Sequence, residues 1–389
     1  MVLMETASCA SPDRSMNAGM YSSSTPAETT AQLTVRLGSL AANFRECRRR
    51  AAPAAVAPVV KANAYGMGLA PVAHALVNSG ADSFFVARME EGVALRELLP
   101  RERIFVLDGI ARGAAPALLA NRLTPVLNSL EEIADWSALG RRDHHPLDAA
   151  LHVDTGMNRS GLSHQDLSEI AADIRGALSG INVVLIMSHL ARADEPDREM
   201  NWIQLARFRA ALALLPSAPA SLAASAGIEL GRDYLFDIVR PGLGLYGGNP
   251  IATRPNPFRT VAVLTGRVLQ IRPLRDGDTV GYGATFTASG PSVVATIAAG
   301  YADGLMRSIA ARGRAAISGY YVPYAGRISM DLAALDVTNV PENILGRGAE
   351  VELMGDTVTL EETAEAAGTI THEILASIGP RVHRHYVDI

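Results

Sequence analysis

At 389 residues, with 48% hydrophobic residues, 34 glycines and 21 prolines, the chain is too long for one ordinary core and fits two domains of a soluble α/β protein. Its formal net charge of −5 argues against nucleic acid or an anionic membrane as partner. Two cysteines, Cys9 and Cys47, exclude a disulfide framework and a cysteine metal cluster and point to a reducing, cytoplasmic compartment, and no apolar run is long enough to span a bilayer.

Residues 1–30 are rich in Ser, Thr, Ala and Met and carry neither helical nor strand period. Without a basic segment followed by an apolar one they do not read as a secretory signal, which leaves a disordered tail or an upstream start codon. Between residues 31 and 257, short apolar runs alternate with helical periods. Strands are predicted at Val56–Lys61, Phe84–Ala87, Ile104–Leu107, Thr124–Leu127, Ala149–Asp154, Val183–His189, Leu222–Ser225 and Ile238–Tyr246. Amphipathic stretches such as Leu69–Ser79, Glu90–Leu98 and Asn201–Leu215 lie between them, and Ser129-Leu130-Glu131-Glu132 reads as a capping box. Eight such strands are the number that closes a parallel (β/α)8 TIM-like barrel, although a doubly wound open sheet gives a similar alternation. In a barrel the chemistry belongs at the C-terminal strand ends, where Lys61, Asp154, His189, Ser225 and Arg240 fall. From residue 258 to 389 the texture changes to a mostly β domain, with strands expected at Val261–Ile271, Val293–Ala298, Ala315–Ile317, Ala333–Val337 and Glu350–Met354. The strand-like Leu33–Leu37 fits either domain.

Lys61 is the only lysine in the chain. Arginine can supply surface charge, but it cannot lose its proton to become a neutral amine that attacks a carbonyl. A solitary amine at the end of an apolar run therefore suggests a lysine that forms a Schiff base. An arginine-preferring genome explains the scarcity of lysine but not the place of the survivor.

The segment Val59-Val60-Lys61-Ala62-Asn63-Ala64-Tyr65-Gly66 resembles the cofactor-lysine motif of the alanine racemases, which use pyridoxal 5′-phosphate. Further segments match that family in order: Asp154-Thr155-Gly156-Met157-Asn158-Arg159, Ser188-His189-Leu190-Ala191, Val239-Arg240-Pro241-Gly242-Leu243, Val280-Gly281-Tyr282-Gly283, Gly300-Tyr301-Ala302-Asp303-Gly304 and Gly326-Arg327-Ile328-Ser329-Met330-Asp331. The similarity runs from about Leu33 to the C-terminus. It implies an eight-stranded barrel followed by a β domain, a homodimer with shared sites, and interconversion of L- and D-alanine that supplies peptidoglycan.

The resemblance also implies roles. Lys61 would hold the cofactor and act as base on one face of the substrate. Tyr282 of the partner subunit would act on the other, tuned through His189 and Arg240. Arg240 would face the pyridine nitrogen as a permanent donor, which favours racemisation over other fates. Tyr65, Ser225 and the amides of Gly242 and Leu243 would cradle the phosphate, Arg159 and the Met330 amide would hold the substrate carboxylate, and Tyr301 would line the entry. Asp303 and Asp331 receive no chemical role. Two positions depart from the family. His152 stands where many members carry a modified lysine that steers the substrate arginine, leaving His152 itself, an anion or water to orient Arg159. Pro380 stands where some members have a phosphate-reaching tyrosine, so that contact should be missing. The alternatives are a racemase of broader range, a non-catalytic cofactor-binding barrel, which would lack the β domain and the partner tyrosine, and a barrel decarboxylase, which Arg240 disfavours.

Overall fold

The computed structural model describes residues 30–389, so the predicted tail lies outside the described residues apart from Thr30. Nine short strands open the chain: β1 (Ala31–Arg36), β2 (Ala55–Val56), β3 (Ser83–Val86), β4 (Arg103–Val106), β5 (Thr124–Leu127), β6 (Leu147–His152), β7 (Ile181–Met187), β8 (Ala220–Ser221) and β9 (Ile238–Val239). Strands β3 to β8 form one parallel sheet in sequence order, and β2 pairs in parallel with β9. Two isolated parallel bridges, Val59 with Phe85 and Ala224 with Arg240, join the pieces. Phe85 N–H donates to Pro58 O and Arg240 N–H to Ala223 O, each at 2.9 Å, so the eight strands β2 to β9 close into a barrel.

The strands read as continuous apolar runs because helices cover the outside while side chains fill the inside. Phe85 and Phe105, paired in register on β3 and β4, stack at 4.6 Å and are fully buried. The predicted helices appear as Leu69–Asn78, Met89–Leu98 and Glu199–Leu214. The capping box at Ser129 is only half made. Ser129 Oγ accepts from Glu132 N–H, but the Glu132 carboxylate accepts from Asn128 N–H instead.

The predicted strand Ile238–Tyr246 ends at Val239. Beyond it the chain turns at Gly242 into a short 3-10 helix, Leu243–Tyr246. The predicted strand Leu222–Ser225 lies just past the observed one: β8 ends at Ser221, Ala224 keeps a single bridge to Arg240, and Ser225 opens the helical turn Ser225–Ile228. Apolar runs at strand ends look the same whether they extend or coil, since both are buried.

The second domain holds β10 (Ala262–Leu274), the hairpin β11 (Thr279–Val280) with β12 (Phe286–Thr287), β13 (Ser292–Ile297), β14 (Arg314–Ile317), β15 (Tyr320–Pro323), β16 (Ala333–Asp336), β17 (Glu350–Met354) and β18 (His383–Val387). Its main sheet runs β15-β14-β17-β10-β1-β18, with β13 attached to β10 and β16 to β13. Strand β1 pairs antiparallel with β10 and parallel with β18. The start of the segment expected to build the barrel, residues 31–36, therefore belongs to the β sheet, and the chain crosses into the barrel only afterwards. Among the described residues no helix is long and apolar enough to cross a membrane.

Candidate active site

Lys61 leaves the barrel between β2 and β3 at the start of an unusual turn. Ala62, Asn63, Ala64 and Tyr65 all have φ between 53° and 55°, which makes a left-handed helical turn built without glycine. L-residues resist this conformation by about 1–2 kcal/mol each, so several kcal/mol of strain is stored beside the amine. The surroundings hold it. Ala62 N–H donates to Glu91 Oε1 at 2.6 Å, while Glu91 Oε2 accepts from Ala87 N–H at 2.8 Å. Leu69 N–H donates to Asn63 Oδ1 at 2.8 Å. From the second domain, Arg384 Nε donates to Gly66 O at 2.8 Å and Tyr386 hydroxyl to Met67 O at 3.1 Å.

The turn aims Lys61 into a site rich in positive charge. Burial, and next the charge of Arg159, push the Lys61 pKa below its usual value, while Glu91 and Asp108 oppose the shift. Arg240 at the end of β9 is buried, and its guanidinium hydrogen-bonds to neutral groups: Nη1 to Ser221 Oγ at 2.5 Å, Nη2 to Ser188 O at 2.6 Å and, at a long 3.4 Å, to His189 Nδ1. Burial pulls its pKa down to about 10, so it stays cationic at neutral pH. Its guanidinium carbon lies 5.8 Å from the centre of the Phe85 ring.

The two histidines of the site are neutral for the same reason. Burial first, then Arg240 and Arg159, lower His189 to about 3. Because arginine only donates, His189 Nδ1 is the acceptor and the proton is assigned to Nε2. His152 falls to about 4 through burial, Arg240 and Arg159, against the pull of Asp154. Asn128 spends its amide donors on Leu107 O and Val126 O, so its Oδ1 faces His152 Nδ1 at 2.7 Å as acceptor. That places the His152 proton on Nδ1. Arg159 is exposed, on a loop whose Gly156, Met157 and Asn158 amides all donate to Asp154 Oδ1.

A third cluster lies at the mouth of β8 and β9. Ser225 Oγ accepts from the amides of Gly242 at 3.0 Å and Gly244 at 3.1 Å, so its own proton is the group left to give. The Tyr65 hydroxyl packs over Gly242, where any Cβ would collide with it. Burial raises this phenol to about 12 and keeps it a donor. Tyr65 stacks on Tyr246 at 4.5 Å, and the Tyr246 hydroxyl donates to Val59 O at 3.0 Å. Leu243 begins the 3-10 helix directly after Gly242.

Lys61, Tyr65, Arg159, His189, Ser225, Arg240, Gly242 and Leu243 thus gather on the C-terminal side of the barrel. Tyr282, Tyr301 and Met330 do not join them within one chain, since no hydrogen bond, ion pair or ring contact links them to Lys61 among the described residues. They stand out from the β domain instead, with 72%, 43% and 53% of their surface exposed. Their loops touch one another. Gly283 packs on the Arg327 guanidinium, and Tyr301 N–H donates to Ser329 O at 3.0 Å.

Glu91, Asn128, Ser221 and His372 are additions that sequence reasoning did not reach, and Ser188 and Tyr246 lay within its motifs without a role. The His372 ring lies 5.9 Å from Tyr65, on a helix of the second domain, while Pro380 is exposed. Ordinary polar residues carry no signal for such placements. Only the proximity of Glu91 to its helix start, three residues after Arg88, could have marked it.

Residues 35–250 match the family model of the alanine racemase N-terminal domain, and residues 261–386 that of the C-terminal domain. A catabolic alanine racemase of Agrobacterium fabrum is 47% identical over 91% of this chain and 92% of its own length. The biosynthetic alanine racemase of the same organism is 44% identical over 92% and 93%. Among solved structures, alanine racemase from Bartonella henselae, with covalently bound pyridoxal phosphate, superposes with a TM-score of 0.89 at 38% identity over 92% of this chain and all of that one.

Proposed function

Because this chain belongs to the alanine racemase family, we propose that it interconverts L- and D-alanine with pyridoxal 5′-phosphate held at Lys61. The observation that carries this reading is the convergence of one amine of lowered pKa with a buried cation held by neutral groups and a corner of hydroxyl and amide donors. The donor set fits the cofactor. Tyr65, Ser225 and the backbone of Gly242 and Leu243 suit a phosphate, and Arg240 suits an unprotonated ring nitrogen, since it donates and never accepts. When bound, the cofactor draws electrons from the substrate Cα and so acidifies its hydrogen.

Each residue then has a task. Lys61, released by the incoming amino acid, removes or returns the proton on one face of Cα. A single base tends to return a proton where it came from, so inversion needs a second carrier opposite. Tyr282 of the partner subunit would fill that place, with the His189 Nε2–H as the donor that would face its oxygen. Arg240 secures the histidine through Nδ1. Arg159 and the Met330 amide of the partner subunit hold the carboxylate, His152 offers Arg159 a neutral ring in place of a modified lysine, and Tyr301 of the partner subunit lines the entry. The working form is a cytoplasmic homodimer, and its D-alanine serves peptidoglycan. The exposed Tyr282, Tyr301, Met330 and Leu332 support such a dimer, since apolar side chains of this size gather at partner surfaces.

Purified protein with pyridoxal phosphate, assayed against a panel of L-amino acids by loss of optical rotation, tests the activity. The expected outcome is conversion of L-alanine to the racemate with other amino acids far slower. Equal rates across the panel would leave a broad racemase, and no conversion a binding protein.

A further inference from the structure

Asp303, Asp331 and Arg381 lie outside the chemistry above, yet they join the two loops that carry Tyr301 and Met330. The Asp303 carboxylate is buried and accepts Gly300 N–H at Oδ2, 2.9 Å away. Arg381 forks onto it, Nε to Oδ1 at 2.7 Å and Nη2 to Oδ2 at 2.9 Å. Its remaining nitrogen, Nη1, reaches Asp331 Oδ1 at 2.7 Å. Asp303 closes the turn of Tyr301, and Asp331 follows Met330 directly. Between them Ala302 N–H donates to Met330 O at 3.0 Å, and Gly300 sits so close to the Met330 carbonyl that a Cβ would collide with it.

An exposed ion pair contributes little. This one differs, because the carboxylate is buried and the planar fork fixes angle as well as distance. Arg381 also stands three residues before Arg384, which bonds the Lys61 turn at Gly66. We propose that Arg381, acting through Asp303 and Asp331, is a positioning residue that sets the Tyr301 and Met330 loops for the substrate site of the neighbouring subunit. The proposal rests on the shared-site reading above.

Its signature is an effect in trans. The Arg381→Ala homodimer should show KM for alanine raised about tenfold with kcat little changed, because substrate holding is loosened while Lys61 and Tyr282 remain. Arg381→Lys should recover part of the loss, and Asp331→Asn, an exposed change that spares the fold, should reproduce a smaller rise. Hydrogen exchange of the protein without cofactor should quicken at the Tyr301 and Ala302 amides. A heterodimer of Lys61→Ala with Arg381→Ala retains one lysine-bearing site, and that site takes its loops from the subunit with an intact clasp. Wild-type KM is expected there. Retention of the raised KM, or unchanged exchange at Tyr301 and Ala302 in the Arg381→Ala protein, would overturn the proposal. A control heterodimer, Lys61→Ala with Tyr282→Phe, separates the premises. If it stays inactive, the shared site itself falls. If it is active while the Arg381 heterodimer keeps a raised KM, the clasp alone falls.

Discussion

His152 and His189 are kept neutral by burial and by the neighbouring Arg240 and Arg159, and this has a cost in acid. Both have folded pKa values, about 4 and about 3, below the ordinary histidine value near 6.5. The unfolded chain therefore binds more protons than the folded one between those limits. The contribution of each is complete above pH ~6.5 and is lost as pH falls toward its folded pKa, by on the order of 2 kcal/mol per histidine between pH ~7 and ~5. Urea midpoints should fall across that window, which lies above the ordinary carboxylate range, and His152→Gln should flatten the slope. A midpoint constant from pH ~7 to ~5 would mean that these rings do not sit in the electropositive pocket described. The sequence marked His189 and Arg240 by their place at strand ends. It gave no hint of Asn128 or Ser221, because an asparagine or serine that fixes a tautomer or a guanidinium is chosen by distance and not by type.

At the level of elements, the left-handed turn Ala62–Tyr65 is the least legible part of the fold. The run Lys61-Ala62-Asn63-Ala64-Tyr65 contains helix formers and only one residue, Asn63, that tolerates positive φ. The strand before it and the helix Leu69–Asn78 after it were readable from period and burial. The turn between them is imposed by tertiary partners, Glu91 and Arg384, that are distant in sequence. Ala62 is exposed, so substitution there probes backbone strain with little change in packing. Ala62→Val should destabilise by roughly 1–2 kcal/mol, since a β-branched side chain at φ 53° is crowded, whereas Ala62→Gly should be neutral or slightly stabilising. Equal stability of the two variants in urea unfolding would show that the turn is not strained.

On the scale of the whole molecule, eight apolar runs fitted a barrel and an open sheet alike, the ordered motifs of the family resemblance chose the barrel, and the later β runs disclosed a second domain. Strand β1 escaped assignment because its one apolar face, Leu33 and Val35, fits either core, and only its register with β10 and β18 decides. Tyr282, Tyr301 and Met330 are exposed on adjoining loops of the β domain, and the proposed function needs a second copy to bring them to Lys61. The account rests on proton transfer from opposite faces by two different subunits. The direct test is the Tyr282→Phe enzyme, loaded with pyridoxal phosphate and incubated in deuterium oxide with each enantiomer of alanine. The prediction is α-hydrogen exchange without inversion for one enantiomer only, with racemisation slowed about a hundredfold or more. Wild-type racemisation of both enantiomers by this variant would contradict it.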